Sequence, residues 1–161
     1  MPTRRDALLA IAALPALPLA AQTASAPRFF SDSEFAVLTR LCDLIIPRTA
    51  TPGASDAGVP LAIDAAAAGG ADLGAMLRGG IADLGGAKFL ALGANEQEAE
   101  MRRIADSGNT SDQAFFRALK NRVIDAYYST REGLAMELGY QGDVPLASFP
   151  GCTHPAHRRL D

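Results

Sequence analysis

Residues 110–140 read "TSDQAFFRALKNRVIDAYYSTREGLAMELGY", and their spacing decides the fold class. Phe115, Leu119, Val123, Ala126 and Tyr127 recur at three- and four-residue intervals, which puts them on one face of a long helix. Thr110 followed by Gln113 has the form of a capping box at its start.

The same pattern repeats upstream. In "SDSEFAVLTRLCDLIIP", Ser31 and Glu34 form a first capping box, Phe35, Leu38, Leu41, Cys42 and Ile45 follow at helical spacing, and Pro47 ends the run. A loop, "RTATPGASDAGVP", leads to a short Ala-rich helix closed by Gly69. Residues 72–92, punctuated by two Gly pairs, predict two short helices, and "NEQEAEMRRIADSG" a further one capped by Asn95 and Glu98. No segment alternates with period two. The expectation is an all-α protein: a small, irregular helical domain over 27–139 and a long extended C-terminal tail over 140–161, too rich in Gly and Pro to continue as helix.

Residues 1–26 have a different character. Paired Arg4 and Arg5 precede an apolar run broken by Pro15 and Pro18, the layout of a targeting segment and not of a spanning helix. Thr3, Arg4, Arg5 and then Ala7, Leu8 and Leu9 resemble the twin-arginine export motif, with Ala7 where that motif usually has Phe. The alternative is a general secretory signal, which also begins with positive charge. "ASA" at 24–26 offers small residues for cleavage, with Pro27 directly behind it.

Beyond residue 26 the chain has 13 basic and 17 acidic residues, with no basic stripe, so no nucleic-acid partner is expected. No dinucleotide fingerprint, phosphate loop or haem-attachment sequence occurs, and no nucleophile has a matching base. Asp43, Asp64, Asp83 and Asp125 fall on separate helices, where each could serve as a cap, an ion-pair partner or a surface residue. No catalytic and no cofactor-binding residue is expected.

The tail holds the one concentration of chemistry-bearing residues. "FPGCTHPAH", 149–157, brings Cys152, His154 and His157 together. As a zinc or copper site it is incomplete, because a fourth ligand would have to come from Cys42, a carboxylate or water. The other reading has the two histidines capping helix ends or bonding backbone, with Pro155 fixing the turn. Cys152 could pair with Cys42 in an oxidising compartment. If Cys42 is buried, Cys152 is instead left for a bond to another chain.

Taken together, the paired arginines, "LIIP", "TPGASDAGV" leading into "AID", "AYYST" and the ending "LGYQGDVPLASFPGCTHPAH" resemble the small subunit of membrane-bound FAD-dependent sugar dehydrogenases, the gluconate 2-dehydrogenase subunit 3 family. The resemblance implies an accessory subunit in the periplasm, held at the cytoplasmic membrane through its complex, with no cofactor of its own. FAD would lie in a large dehydrogenase subunit and haem in a multihaem cytochrome c subunit. It further implies that one leader, read by the twin-arginine translocon, serves both this chain and the large subunit. Tyr140 and Phe149 would anchor the tail on the partner, Cys152 would form an intersubunit disulfide, and His154 and His157 would fix the turn. A different class of reading is a stand-alone exported metal-binding helical protein using Cys152, His154 and His157.

Overall fold

The computed structural model describes residues 26–142. Among them are six α-helices and one π-helical segment, and no strand. The all-α expectation holds. Residues 1–25, where a leader is expected, and residues 143–161, including Phe149, Cys152, His154 and His157, lie outside the described residues.

Helix α1, Asp32–Ile45, begins as its sequence dictates: the Glu34 amide donates to Ser31 Oγ and the Ser31 amide donates to the Glu34 carboxylate. Its buried face is Val37, Leu38, Leu41 and Cys42, while Phe35 and Ile45 pack at the margin. The loop that follows is built inward. Ala54 is buried and its amide donates to the Ile46 carbonyl at 3.0 Å, the Ser55 amide donates to Asp43 at 2.9 Å, and Arg48 pairs with Asp56. Helix α2, Val59–Gly69, starts with Pro60 in its first turn, where a missing N–H costs nothing.

Residues 72–92 yield two helices, α3, Ala71–Asp83, and α4, Ala87–Leu90. The two Gly pairs act differently. Gly85 and Gly86 have φ of +89° and +56° and make the turn. Gly79 and Gly80 instead lie inside α3, where a Cβ on Gly80 would overlap the Phe115 ring.

Two expected caps move. Helix α5, Ala94–Ala105, starts after Gly93, and it is Glu96, not Glu98, that accepts the Gly93 amide at 2.8 Å. Asn95 is therefore inside the first turn. Helix α6, Thr110–Tyr127, is capped by Asn109, whose side chain accepts the Ser111 amide at 2.9 Å. Gln113 donates to the Ser107 carbonyl. In both places the residue one or two positions upstream takes the extended cap conformation, so the apparent cap becomes helix.

Helix α6 is the centre of the molecule, packing against α1, α2, α3 and α5 through Phe115, Leu119, Val123 and Tyr127. It stops at Tyr127, and the chain re-forms as a π-helical segment over Glu132–Glu137. On the opposite side, buried Gln97 joins α5 to α4 and α1. It donates to the Phe89 and Leu92 carbonyls and accepts from Arg40 at 2.6 Å. No helix among the described residues is long and apolar enough to cross a membrane.

Candidate partner interface

The N-terminal edge of the domain is tied down by a buried carboxylate. Asp64, on α2, is 1% exposed, and its oxygens accept three successive backbone amides: Arg28 at 2.6 Å, Phe29 at 3.0 Å and Phe30 at 3.0 Å. Burial alone would raise its pKa, but the three donors and the nearby Arg28 charge outweigh burial and hold the carboxyl below its ordinary value. Arg78, on α3, grips the same segment from outside. It donates to the Phe29 carbonyl at 2.7 Å and to Glu34 at 3.0 Å, with its guanidinium 4.2 Å from the Phe29 ring centroid. A charged residue within the apolar stripe Val59, Ile63, Ala67 was the sequence signal for this clamp, since a carboxylate there must find donors.

The C-terminal edge is built on Tyr127, fully buried at the end of α6. Its hydroxyl donates to the Pro52 carbonyl at 2.7 Å, which brings "AYYST" onto "TPGASDAGV". Burial is the first cause that raises the pKa of this phenol. The Thr130 hydroxyl donates to the Tyr127 carbonyl at 2.6 Å and accepts the Gly133 amide, folding the chain back into the π-helical segment. That segment and the three residues after it leave four large apolar side chains partly exposed, an apolar ledge: Leu134 is 36% exposed, Met136 49%, Leu138 61% and Tyr140 42%. Four of the seven large exposed hydrophobics among the described residues thus fall within seven positions. The Tyr140 amide donates to the Leu134 carbonyl at 3.1 Å, so the backbone closes against the ledge before passing Gly142.

Of the residues that sequence reasoning singled out, Tyr140 lies on this ledge. Arg4, Arg5, Phe149, Cys152, His154 and His157 lie outside the described residues. Cys42 is a free thiol, fully buried on α1, and burial followed by the Asp43 charge pushes its pKa far up. Among the described residues no group of three or more His, Cys, Asp and Glu could hold a metal ion.

The helical body also carries two surface grooves. One, about 410 Å³, lies between α3, α5 and α6, with Met76, Gly79 and Phe115 in its wall and Arg103 paired to Glu100 and Asp112 at its rim. The other, about 400 Å³, is lined by Leu44, Ile45, Met101 and Phe116.

Residues 32–145 match the family model described as gluconate 2-dehydrogenase subunit 3. The match opens at the first residue of α1 and takes in Asp64, the Tyr127 contact and the ledge, while the Arg28–Phe30 donors to Asp64 precede it. "GCTHPAH" falls beyond it. No curated protein and no solved structure matches the chain. Since the family model spans more than half of its length, the chain belongs to the gluconate 2-dehydrogenase subunit 3 family.

Proposed function

We propose that this chain is the non-catalytic small subunit of a periplasmic FAD-dependent sugar or gluconate dehydrogenase, and that it serves the twin-arginine export, maturation and stability of the flavoprotein subunit. Family membership supports a multi-subunit dehydrogenase complex. The observation that carries the reading is the ledge of Leu134, Met136, Leu138 and Tyr140. Fully burying one such side chain contributes roughly 1.5–3 kcal/mol, so a ledge of four is a strong drive to associate. Its occupant in this reading is the large FAD-bearing subunit, with the tail continuing onto the same partner through Phe149. A cytochrome c subunit carrying haem takes the electrons onward.

Several features fit a subunit that supplies shape and not chemistry. Three of the titratable groups with shifted pKa values are fastened to structure: Asp64 to backbone amides, Glu34 to its cap, Cys42 into the core. The paired Arg4 and Arg5 fit an export route that carries folded cargo, which lets one leader serve two chains. Replacing both arginines with Lys in cells making both subunits tests this. The expected result is an intact flavoprotein retained in the cytoplasm with periplasmic dehydrogenase activity lost. Unchanged periplasmic activity overturns the export role.

A further inference from the structure

Arg28, Phe29 and Phe30 form a strap between the leader and α1. The Arg28 side chain is exposed, yet the backbone amides from Arg28 to Phe30 are all engaged. Its three amides go to Asp64, the Phe29 carbonyl accepts from Arg78, and the Phe30 ring is buried and meets Phe29 edge-on at 4.9 Å. A protease holds the segment it cuts as an added strand, pairing with successive backbone N–H and C=O groups. In the strap the three amides and the Phe29 carbonyl already have partners, and the acceptor of the amides is a buried ionised carboxylate, whose hydrogen bonds are the strong kind.

We propose that the strap is a stop to N-terminal processing: peptidases remove the leader up to residue 27 but do not cut within residues 28–30, so the mature chain starts at or before Arg28. Cutting further in would strip the donors from Asp64 and leave a buried carboxylate unsatisfied, a costly state. The folded domain thus fixes its own N-terminus. The statement about the exported chain rests on the leader reading above, whereas protection of the strap does not.

Limited trypsin digestion of the full chain tests the protection, because Arg28 has an accessible tryptic side chain on a locked backbone. Cleavage at Arg28–Phe29 is followed by intact mass beside cleavage at Arg131–Glu132. Asp64→Asn removes the charge that collects the three amides. Arg78→Met frees the Phe29 carbonyl and ring without touching the buried carboxylate, so it serves if Asp64→Asn fails to fold. The expected result is Arg28–Phe29 cleavage faster by about tenfold in each folded variant, as for loss of one charge-assisted hydrogen bond from the closed state, with the Arg131–Glu132 rate unchanged. Equal Arg28–Phe29 rates in wild type and Arg78→Met overturn the proposal. So does an exported wild-type chain whose mass shows a start at Phe29 or later. A chain that never leaves the cytoplasm counts against the export reading alone, and the trypsin rates still decide the strap.

Discussion

The Tyr127 hydroxyl donates to the Pro52 carbonyl at 2.7 Å, a bond that spans 75 positions of sequence and closes the loop after α1 onto the end of α6. Tyr127→Phe keeps the buried ring and removes the donor. It should lower stability by about 1 kcal/mol, whereas Tyr127→Ala, which also empties the ring's space, should cost about 3–5 kcal/mol. Urea midpoints of the purified chain check both. Equal losses in the two variants would show that the hydroxyl, not the ring, carries the site.

Neighbouring glycines on α3 should respond with opposite sign. A Cβ on Gly79 meets nothing within 4 Å, so Gly79→Ala should stabilise by about 0.5–1 kcal/mol through helix propensity. Gly80→Ala drives a methyl into the buried Phe115 ring and should destabilise by about 1–3 kcal/mol. Phe115→Leu should recover part of the loss in the Gly80→Ala background but not in wild type. Thermal melts of the four variants read it directly.

Two titrations bound the stable pH range. The Cys42 thiol has its pKa raised by burial, so it favours folding fully below the unfolded thiol's pKa of about 8.5 and progressively less above it. Stability should therefore fall by about 1.4 kcal/mol per pH unit between about pH 8.5 and 10, and Cys42→Ala should remove that slope. Asp64 is the mirror case. Its pKa is lowered in the fold, so its contribution is present above the unfolded carboxyl's pKa of about 3.9 and is lost as pH falls through the folded value. Asp64→Asn should flatten the acid limb only.

The fold was readable because its helices carry their own punctuation: the Ser31–Glu34 box, Pro47, and the Phe115, Leu119, Val123, Tyr127 stripe each appear in the structure as the spacing implies. Cap positions were less legible. Asn95 and Thr110 look like caps, but Gly93 and Asn109 compete for the role, and the backbone angle at the cap decides between them. Periodicity could not mark the end of α6 at Tyr127, because the break comes from Thr130 accepting and donating across the turn. Asp64 stood among four interchangeable acidic residues until its three amide donors, 34 to 36 positions away, came into view. The ledge shares that limit: spacing does not say that Leu134, Met136, Leu138 and Tyr140 are left partly open to solvent in and just after the π-helical segment.

Burial of Cys42 bears on the tail thiol. With Cys42 sealed in the core, the disulfide expected in the assembled complex joins Cys152 to the large subunit. Non-reducing electrophoresis of the purified complex should show a band at the summed mass that is lost with reductant and in Cys152→Ser but persists in Cys42→Ser. Absence of that band, with both variants losing stability alike, would point to an internal Cys42–Cys152 bond.

The central claim is that the ledge on the π-helical segment docks this chain on the flavoprotein, and co-purification measures it most directly. Cells produce the large subunit with an affinity tag together with either the wild-type chain or the double variant Met136→Lys, Leu138→Lys. Both residues are exposed, so the variant should melt as wild type does. Wild type should be recovered with the tagged subunit at equal stoichiometry, and the double variant should be lost from it, since burying two unpaired lysines at an interface core weakens association by at least about tenfold each. Recovery of the double variant at wild-type stoichiometry, or failure of the wild-type chain to accompany the large subunit at all, contradicts the account.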